Sequence, residues 1–440
     1  MLEGWDFADA RVAVVGGMRL SYPTCSVDSG RGAACWCRSP TAVFTGIRCS
    51  REFGVHGTSV FAGSPQRPHP THGAAGAARA RTKTAVMMTA VCDDTTAESS
   101  VILRDREQAV VYVASVCFKH GPPTLLGVEL EWTLHHAADP SRELDIDLLA
   151  AALGEHAPPT VRADSPHDRL PGGSLVTVEP GGQVELSSTA HSSPATVHRT
   201  MAADIATLRT MLADFSLVLG SRALDPHRRP TRVLHTPRYD AMQAAFDPVG
   251  DCGLTMMCNS AGLQVCVDAG QGAEQVDRWN ALHLLGPVCV ALFANSPSPT
   301  GWVSGRQRVT MRTDPRRSRP SHPGVDPARA WARRVLNTPV ICQRSAARCW
   351  VPERRFTFAD WIDGAVDPPP TLDDLRYHLS TMFTPVRPQG YYEIRYLDAQ
   401  PDGEWLAPFA LITSLMAEHE HVQEVSELAA PARGRWLHAA

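Results

Sequence analysis

The stretch Gly127-Val128-Glu129-Leu130-Glu131-Trp132 limits most strongly what this chain can fold into. Apolar residues alternate with acids, and that two-residue period is a strand's: Val128, Leu130 and Trp132 on one face, Glu129 and Glu131 on the other. Two carboxylates on one side of a strand repel, and each buried without a partner costs roughly several kcal/mol. Cations between them would remove that cost. Hard divalent ions such as Mg²⁺ take oxygen ligands and bridge carboxylates to phosphates. The alternative is a half-exposed edge strand with a solvated polar face, and this stretch by itself does not choose between the two.

A second acidic stretch lies downstream. Residues 171–187, PGGSLVTVEPGGQVELS, read as strand, Gly-Gly turn, strand. Glu179 closes the first arm and Glu185 lies on the second. With a three-residue loop the two pair across the hairpin and share a face, and with a two-residue loop they do not; the sequence leaves that register open.

Size and charge exclude several classes. The chain has 440 residues, enough for more than one domain and a large core. A formal charge of −4 offers no basic field for nucleic acid or a membrane surface. No run of eighteen apolar residues predicts a membrane span, and the start lacks a secretory signal pattern, so a cytoplasmic protein is expected. Of 12 cysteines, Cys25, Cys35, Cys37 and Cys49 crowd the first fifty residues. Cys35-Trp-Cys37 is not the CxxC of common zinc sites. The other eight read as buried free thiols.

Residues 1–100 are rich in Gly, Ser, Pro, Ala and Arg and read as disordered, or as a misassigned extension before Met87-Met88. From Arg104 the pattern tightens. Helical spacing follows Asp105 and recurs over 144–153, 194–213, 239–246, 273–294 with an interruption at Gly286-Pro287, 327–336, 356–362, 373–383 and 405–417. Strand alternation marks 255–268, 339–342 and 391–397. Helices and strands do not alternate as βαβ units, so the expectation is α+β with an antiparallel sheet.

The chain has no GxxxxGK[ST] phosphate loop and no convincing GxGxxG, so any nucleotide must be held by metals on carboxylates and by arginines. Glu129, Glu131, Glu179, Glu185 and Glu393 all lie in or beside predicted strands, where Glu is disfavoured unless it has a task. Together they can line one face of one sheet, a geometry for two or three Mg²⁺ ions on the phosphates of ATP. Glu393 and Arg395 alternate with apolar residues as a metal ligand and an anion binder would, or as a cross-strand ion pair. Arg306 and Arg308 in SGRQR offer two arginines on one face of an extended segment, suited to a carboxylate, or form an exposed basic strand continued by Arg312, Arg316, Arg317 and Arg319.

GVELEW and GGSLVTVEPGGQVELS together resemble the glutamate–cysteine ligase family, and within it the actinobacterial branch that makes γ-glutamylcysteine for ergothioneine biosynthesis. The resemblance runs from Arg104 to about Trp436. It implies a glutamine-synthetase-like antiparallel sheet forming an open funnel with flanking helices, as in carboxylate–amine ligases. TMMCNSAGLQVCVD is similar to the segment that brings Gln264 to metal or nucleotide; ANSP, with Asn295, and GWVSGRQRV are similar to the glutamate-binding segment, with Arg306 at the arginine meeting the substrate carboxylate. VRPQGYYEIRYLD resembles the closing motif, with Glu393 on metal and Arg395 on phosphate. The implied substrates are glutamate, cysteine and ATP with Mg²⁺, on a monomer. Family members continue with further C-terminal helices, so the catalytic domain, 101–440, is expected to be shortened at that end. Two other readings keep these residues: a ligase for another amine, and an inactive homologue that binds nucleotide or nothing.

Overall fold

A computed structural model describes residues 101–118, 124–345 and 349–440, together with the backbone of a hairpin within the first hundred residues. The chain divides into two units, Met1–Thr84 and Ala85–Ala440. In the first, β1 (Val12–Val15) pairs antiparallel with β2 (Met18–Ser21) around the apolar patch at 11–16. The rest of the segment expected to be disordered lies outside the described residues.

The second unit carries the sheet. Its elements run α1 (Arg106–Cys117), β3 (Gly127–Trp132), β4 (Leu134–His136), α2 (Ile146–Leu153), β5 (Leu175–Val178), β6 (Val184–Ser187), α3 (Pro194–Ala213) and β7 (Leu217–Leu219). There follow α4 (Pro237–Phe246), α5 (Cys252–Cys258), β8 (Gly262–Val267), α6 (Ala273–Leu292), α7 (Gly305–Thr313), α8 (Pro315–Ser318) and α9 (Pro327–Leu336). The chain closes with α10 (Phe358–Ile362), α11 (Leu372–Leu379), β9 (Val386–Pro388), β10 (Tyr392–Asp398), α12 (Leu406–Leu415), α13 (His419–Ala429) and α14 (Trp436–Ala439). Six strands join in the order β5-β6-β3-β8-β10-β9, every pair antiparallel. This is the expected α+β class.

The two faces of that sheet differ in kind. Val176, Val178, Val184, Leu186, Val128, Leu130, Trp132, Leu263, Val265, Tyr392 and Ile394 point one way into a single hydrophobic core. Helix α6 packs there, with Trp279 in ring contact with Tyr392 and Phe118 at 5.5 and 5.3 Å. Burial of this face, at about 25 cal/mol per Å² of apolar surface, is what fixes the strand parity. A slip of one residue in β3 would turn Glu129 and Glu131 into the core.

Several local expectations are corrected. The Gly286-Pro287 pair does not interrupt α6, which runs through Pro287; Gly286 lets the helix lie against Trp436, whose ring would stand 1.9 Å from an added Cβ. Residues 255–258, read with a strand, belong to α5. The segment at 339–342 makes an isolated bridge between Pro339 and Thr357 rather than a strand. SGRQR is not extended: Ser304 caps α7 by accepting from Gln307 N, and a helix puts Arg306 and Arg308 on different faces. Arg306 is buried, while Arg308 lies over the Trp302 ring at 5.3 Å. Arg317 is fully buried as well, donating to Thr381 O at 2.8 Å and paired with Asp314 at 3.3 Å. The described cysteines are free; Cys117, Cys258, Cys266, Cys289 and Cys342 are buried, but Cys349 is exposed. No helix among the described residues is long and apolar enough to cross a membrane.

Candidate active site

The other face of the sheet collects the acids. The β5–β6 hairpin closes with Glu179 N donating to Gln183 O at 2.8 Å, a three-residue loop through Gly182, whose φ of +86° suits glycine. Glu179 and Glu185 therefore share a face, although Glu185 stands directly across from Thr177 rather than from Glu179. On the other side of β6, Glu185 is directly opposite Glu131, and Ser187 opposite Glu129. Glu129 in turn faces Gln264 of β8, and Cys266 faces Glu393 of β10. One face of one sheet thus presents Glu179, Glu185, Glu131, Glu129, Gln264, Glu393 and Arg395.

Gln264 ties this row together. Its Nε2 donates to Glu131 Oε1 at 2.8 Å and Glu185 Oε2 at 3.4 Å, and its Oε1 accepts from Arg395 Nη1. Glu131 also accepts from Gly262 N at 2.6 Å. Glu185 accepts from Thr177 Oγ1 at 2.7 Å and Ser187 Oγ at 3.2 Å. Gly262 lies so close to Arg306 that an added Cβ would stand 2.2 Å from Nη2.

The carboxylates fall into two electrostatic groups. Burial, then the charge of Glu393, pushes Glu129 up to about 8; burial, then Glu131, pushes Glu179 up to about 7. Burial and the three neighbouring glutamates hold Glu185 well above the carboxylate range. Glu393 goes the other way. Burial would raise it, but Arg387 and Arg395 outweigh burial and bring it down to about 2. Arg387 grips it with Nε and Nη2 at 2.6 and 2.8 Å, Gln389 Nε2 donates at 2.6 Å, and Arg395 Nη1 completes the set.

This donor set fits a hard divalent cation. Glu129, Glu131, Glu179 and Glu185 offer oxygen alone, and three of them hold protons strongly until positive charge arrives. Among the described residues no three His, Cys, Asp or Glu side chains already converge as a closed metal cluster. Glu393 has four donors on its two oxygens, so the ion-pair alternative describes it as it stands.

The two remaining predicted site residues lie at the end of β10. Arg306 sends Nη1 to Leu397 O at 3.0 Å and leaves Nε buried without a partner. Asn295 does not reach the carboxylate row: its Nδ2 donates to Ser221 O and Ala399 O, each at 2.8 Å. Sequence reasoning gave no role to Arg387 and Gln389, which lie at the start of the closing motif on the edge strand and its turn. It also missed half-buried Arg238, which draws Glu179 down electrostatically. The alternation Arg387-Pro388-Gln389 was the one available signal for the first two.

A sheet with one apolar face and one face of buried carboxylates and arginines defines an enzyme site rather than a structural layer. The chain belongs to glutamate–cysteine ligase family 2 (GCS2), which it matches over residues 125–439. It is 37% identical over 349 residues to the glutamate–cysteine ligase EgtA of Mycolicibacterium smegmatis, covering 76% of this chain and 79% of that one. It is 38% identical over 345 residues to EgtA of Mycobacterium tuberculosis, covering 73% and 75%. The glutamate–cysteine ligase of Francisella tularensis, solved in complex with AMP, aligns with a TM-score of 0.37 at 12% identity over 71% of this chain and 72% of that one.

Proposed function

We propose that the chain joins the γ-carboxylate of glutamate to the amine of cysteine at the expense of ATP, through γ-glutamyl phosphate. The observation that carries this reading is the row of glutamates on one sheet face, three of which burial and their neighbours hold towards the protonated form. Such a row is poor as a structural layer and well suited to Mg²⁺ on phosphate oxygens. When bound, Mg²⁺ would neutralise charge on the phosphates of ATP, held by Glu129, Glu131, Glu179 and Glu185, with Glu393 joining when an arginine leaves it.

The protein's own groups then have distinct tasks. Arg395, beside Gln264 and Glu393, turns to the transferring phosphoryl group, where charge develops. Gln264 orients Glu131 and Glu185. Arg306, with its unpartnered Nε–H, meets a carboxylate of glutamate, and Asn295 holds the loop that leads to it. A γ-carboxylate oxygen attacks the γ-phosphorus and ADP leaves. The cysteine nitrogen attacks the acyl carbon, phosphate leaves with the shared oxygen, and the nitrogen gives up its proton. The product, γ-glutamylcysteine, would serve ergothioneine biosynthesis, as the resemblance implies.

Phosphate release from ATP with glutamate and a panel of amino acids tests this reading. Release should require cysteine. Release with another amine instead reassigns the acceptor, and none from folded protein makes the chain an inactive homologue.

A further inference from the structure

Strand β10 carries a bulge. Ile394 pairs with Val265 and Leu397 with Leu263, so Arg395 and Tyr396 together oppose Gln264. A bulge frees ladder carbonyls and re-aims the side chain it carries. Arg306 takes up the freed carbonyls: Nη1 and Nη2 donate to Arg395 O at 3.3 and 3.2 Å, and Nη1 to Leu397 O at 3.0 Å. The bulge residue Arg395 thereby ends against Gln264 and Glu393.

Arg306 is held in turn by one buried carboxylate. Asp398 Oδ2 accepts from Ser296 Oγ at 2.6 Å and Asn295 N at 2.8 Å, and Oδ1 accepts from Ser304 Oγ at 3.0 Å. Ser304 is the N-cap of α7, and Ser296 Oγ accepts from Arg306 N at 3.0 Å. Asp398 Oδ1 also lies 3.9 Å from Arg306 Nη1. Asp398 is 2% exposed, and Ser296 and Ser304 are each 1% exposed, so water does not substitute for any of these bonds. A single carboxylate therefore fixes the start of α7 and faces the guanidinium that props the bulge.

We propose that Asp398 is a positioning residue for the ligase reaction, fixing Arg306 directly and Arg395 through the bulge. The proposal rests on the ligase reading for what those arginines meet. Asp398→Asn is the informative variant. One amide oxygen can still accept from Ser296 and Asn295 while the amide nitrogen donates to Ser304, so the shape survives and the charge beside Arg306 goes.

The experiment measures kcat and both Michaelis constants for the parent, Asp398→Asn, Asp398→Ala and a control, Asp402→Asn, at an exposed ion pair with Arg209. Expected for Asp398→Asn is a KM for glutamate about tenfold higher and a lower kcat, with the KM for ATP within about twofold of the parent. Asp398→Ala should shift the same constants further, and Asp402→Asn none. A role confined to folding would remove active molecules, lowering kcat and leaving both KM values alone; that result, or parent-like constants in Asp398→Asn, overturns the proposal. If the parent forms no γ-glutamylcysteine, the ligase reading fails separately. Hydrogen exchange then decides the positioning: faster exchange over residues 304–313 and 392–398 in Asp398→Ala, with the rest unchanged, supports it, and unchanged exchange there overturns it.

Discussion

Glu131 and Glu185 stand directly opposite each other on neighbouring strands, and the Gln264 amide donates to both, at 2.8 and 3.4 Å. Like charges at directly opposed positions destabilise a sheet. A neutral amide between them softens that repulsion without removing it. The same amide offers its oxygen to Arg395, so the acidic row and that arginine share one side chain.

Glu185→Gln should therefore leave the metal-free protein as stable as the parent or more so, because burial and three neighbouring glutamates already favour the neutral form of Glu185 and Gln keeps that neutral shape. With Mg²⁺ and ATP present, the same change should weaken nucleotide protection and lower turnover by roughly 10²–10³. Thermal melts with and without Mg²⁺·ATP read both effects. A drop in metal-free stability with full nucleotide protection would assign Glu185 a structural role.

Glu393→Gln should behave oppositely in the metal-free protein. Glu393 is 1% exposed and bears Arg387 and Arg395, so neutralising it strands two cations. Breaking a buried pair on one side costs on the order of 3 kcal/mol. A melt showing no loss would mean that the arginines find other partners.

Arg306→Lys should raise the KM for glutamate far more than that for ATP. Lys keeps the charge and loses the planar fork that spans the two β10 carbonyls and, in the proposed role, would grip a carboxylate. Steady-state kinetics with each substrate varied would show it. A shift confined to ATP would place Arg306 on the nucleotide.

Acid should destabilise the fold through two buried histidines. Burial, then the charge of Arg317, lowers His378 to about 3, and burial lowers His283 to about 4. Unfolded imidazoles protonate near 6.5, so below that pH the unfolded state binds more protons at these two positions and their contribution to stability falls as pH drops towards 4. Glu129, Glu179 and Glu185 oppose this, because they keep protons in the folded state that the unfolded chain releases. In denaturant melts across that range the two histidines contribute up to about two protons of linkage. His378→Gln should remove about one of them, and an unchanged slope would refute the assignment.

The acidic face was legible because alternation survives in short strands. Val128, Leu130 and Trp132 had to share the core, which forced Glu129 and Glu131 to the other side together. Helix α3 over Pro194–Ala213 and helix α9 over Pro327–Leu336 were legible from their periodicity and N-terminal prolines. Helix α7 was not. Its arginines read as a carboxylate binder or an exposed basic strand on extended chain, yet Arg306 in α7 and Arg317 in α8 are buried, and backbone carbonyls of distant segments receive them. Nor was Asp398 legible. Its partners come from residues 295–304, about a hundred positions away, and no local pattern announces a contact of that range.

The most direct measurement of the central claim follows oxygen. Glutamate labelled with ¹⁸O in its γ-carboxylate is turned over with ATP, Mg²⁺ and cysteine, and the released phosphate is weighed by mass spectrometry. Attack of the γ-carboxylate on ATP followed by displacement with cysteine leaves one ¹⁸O in each phosphate, alongside ADP and γ-glutamylcysteine. Unlabelled phosphate, or AMP and pyrophosphate in place of ADP, would contradict γ-glutamyl phosphate as the intermediate.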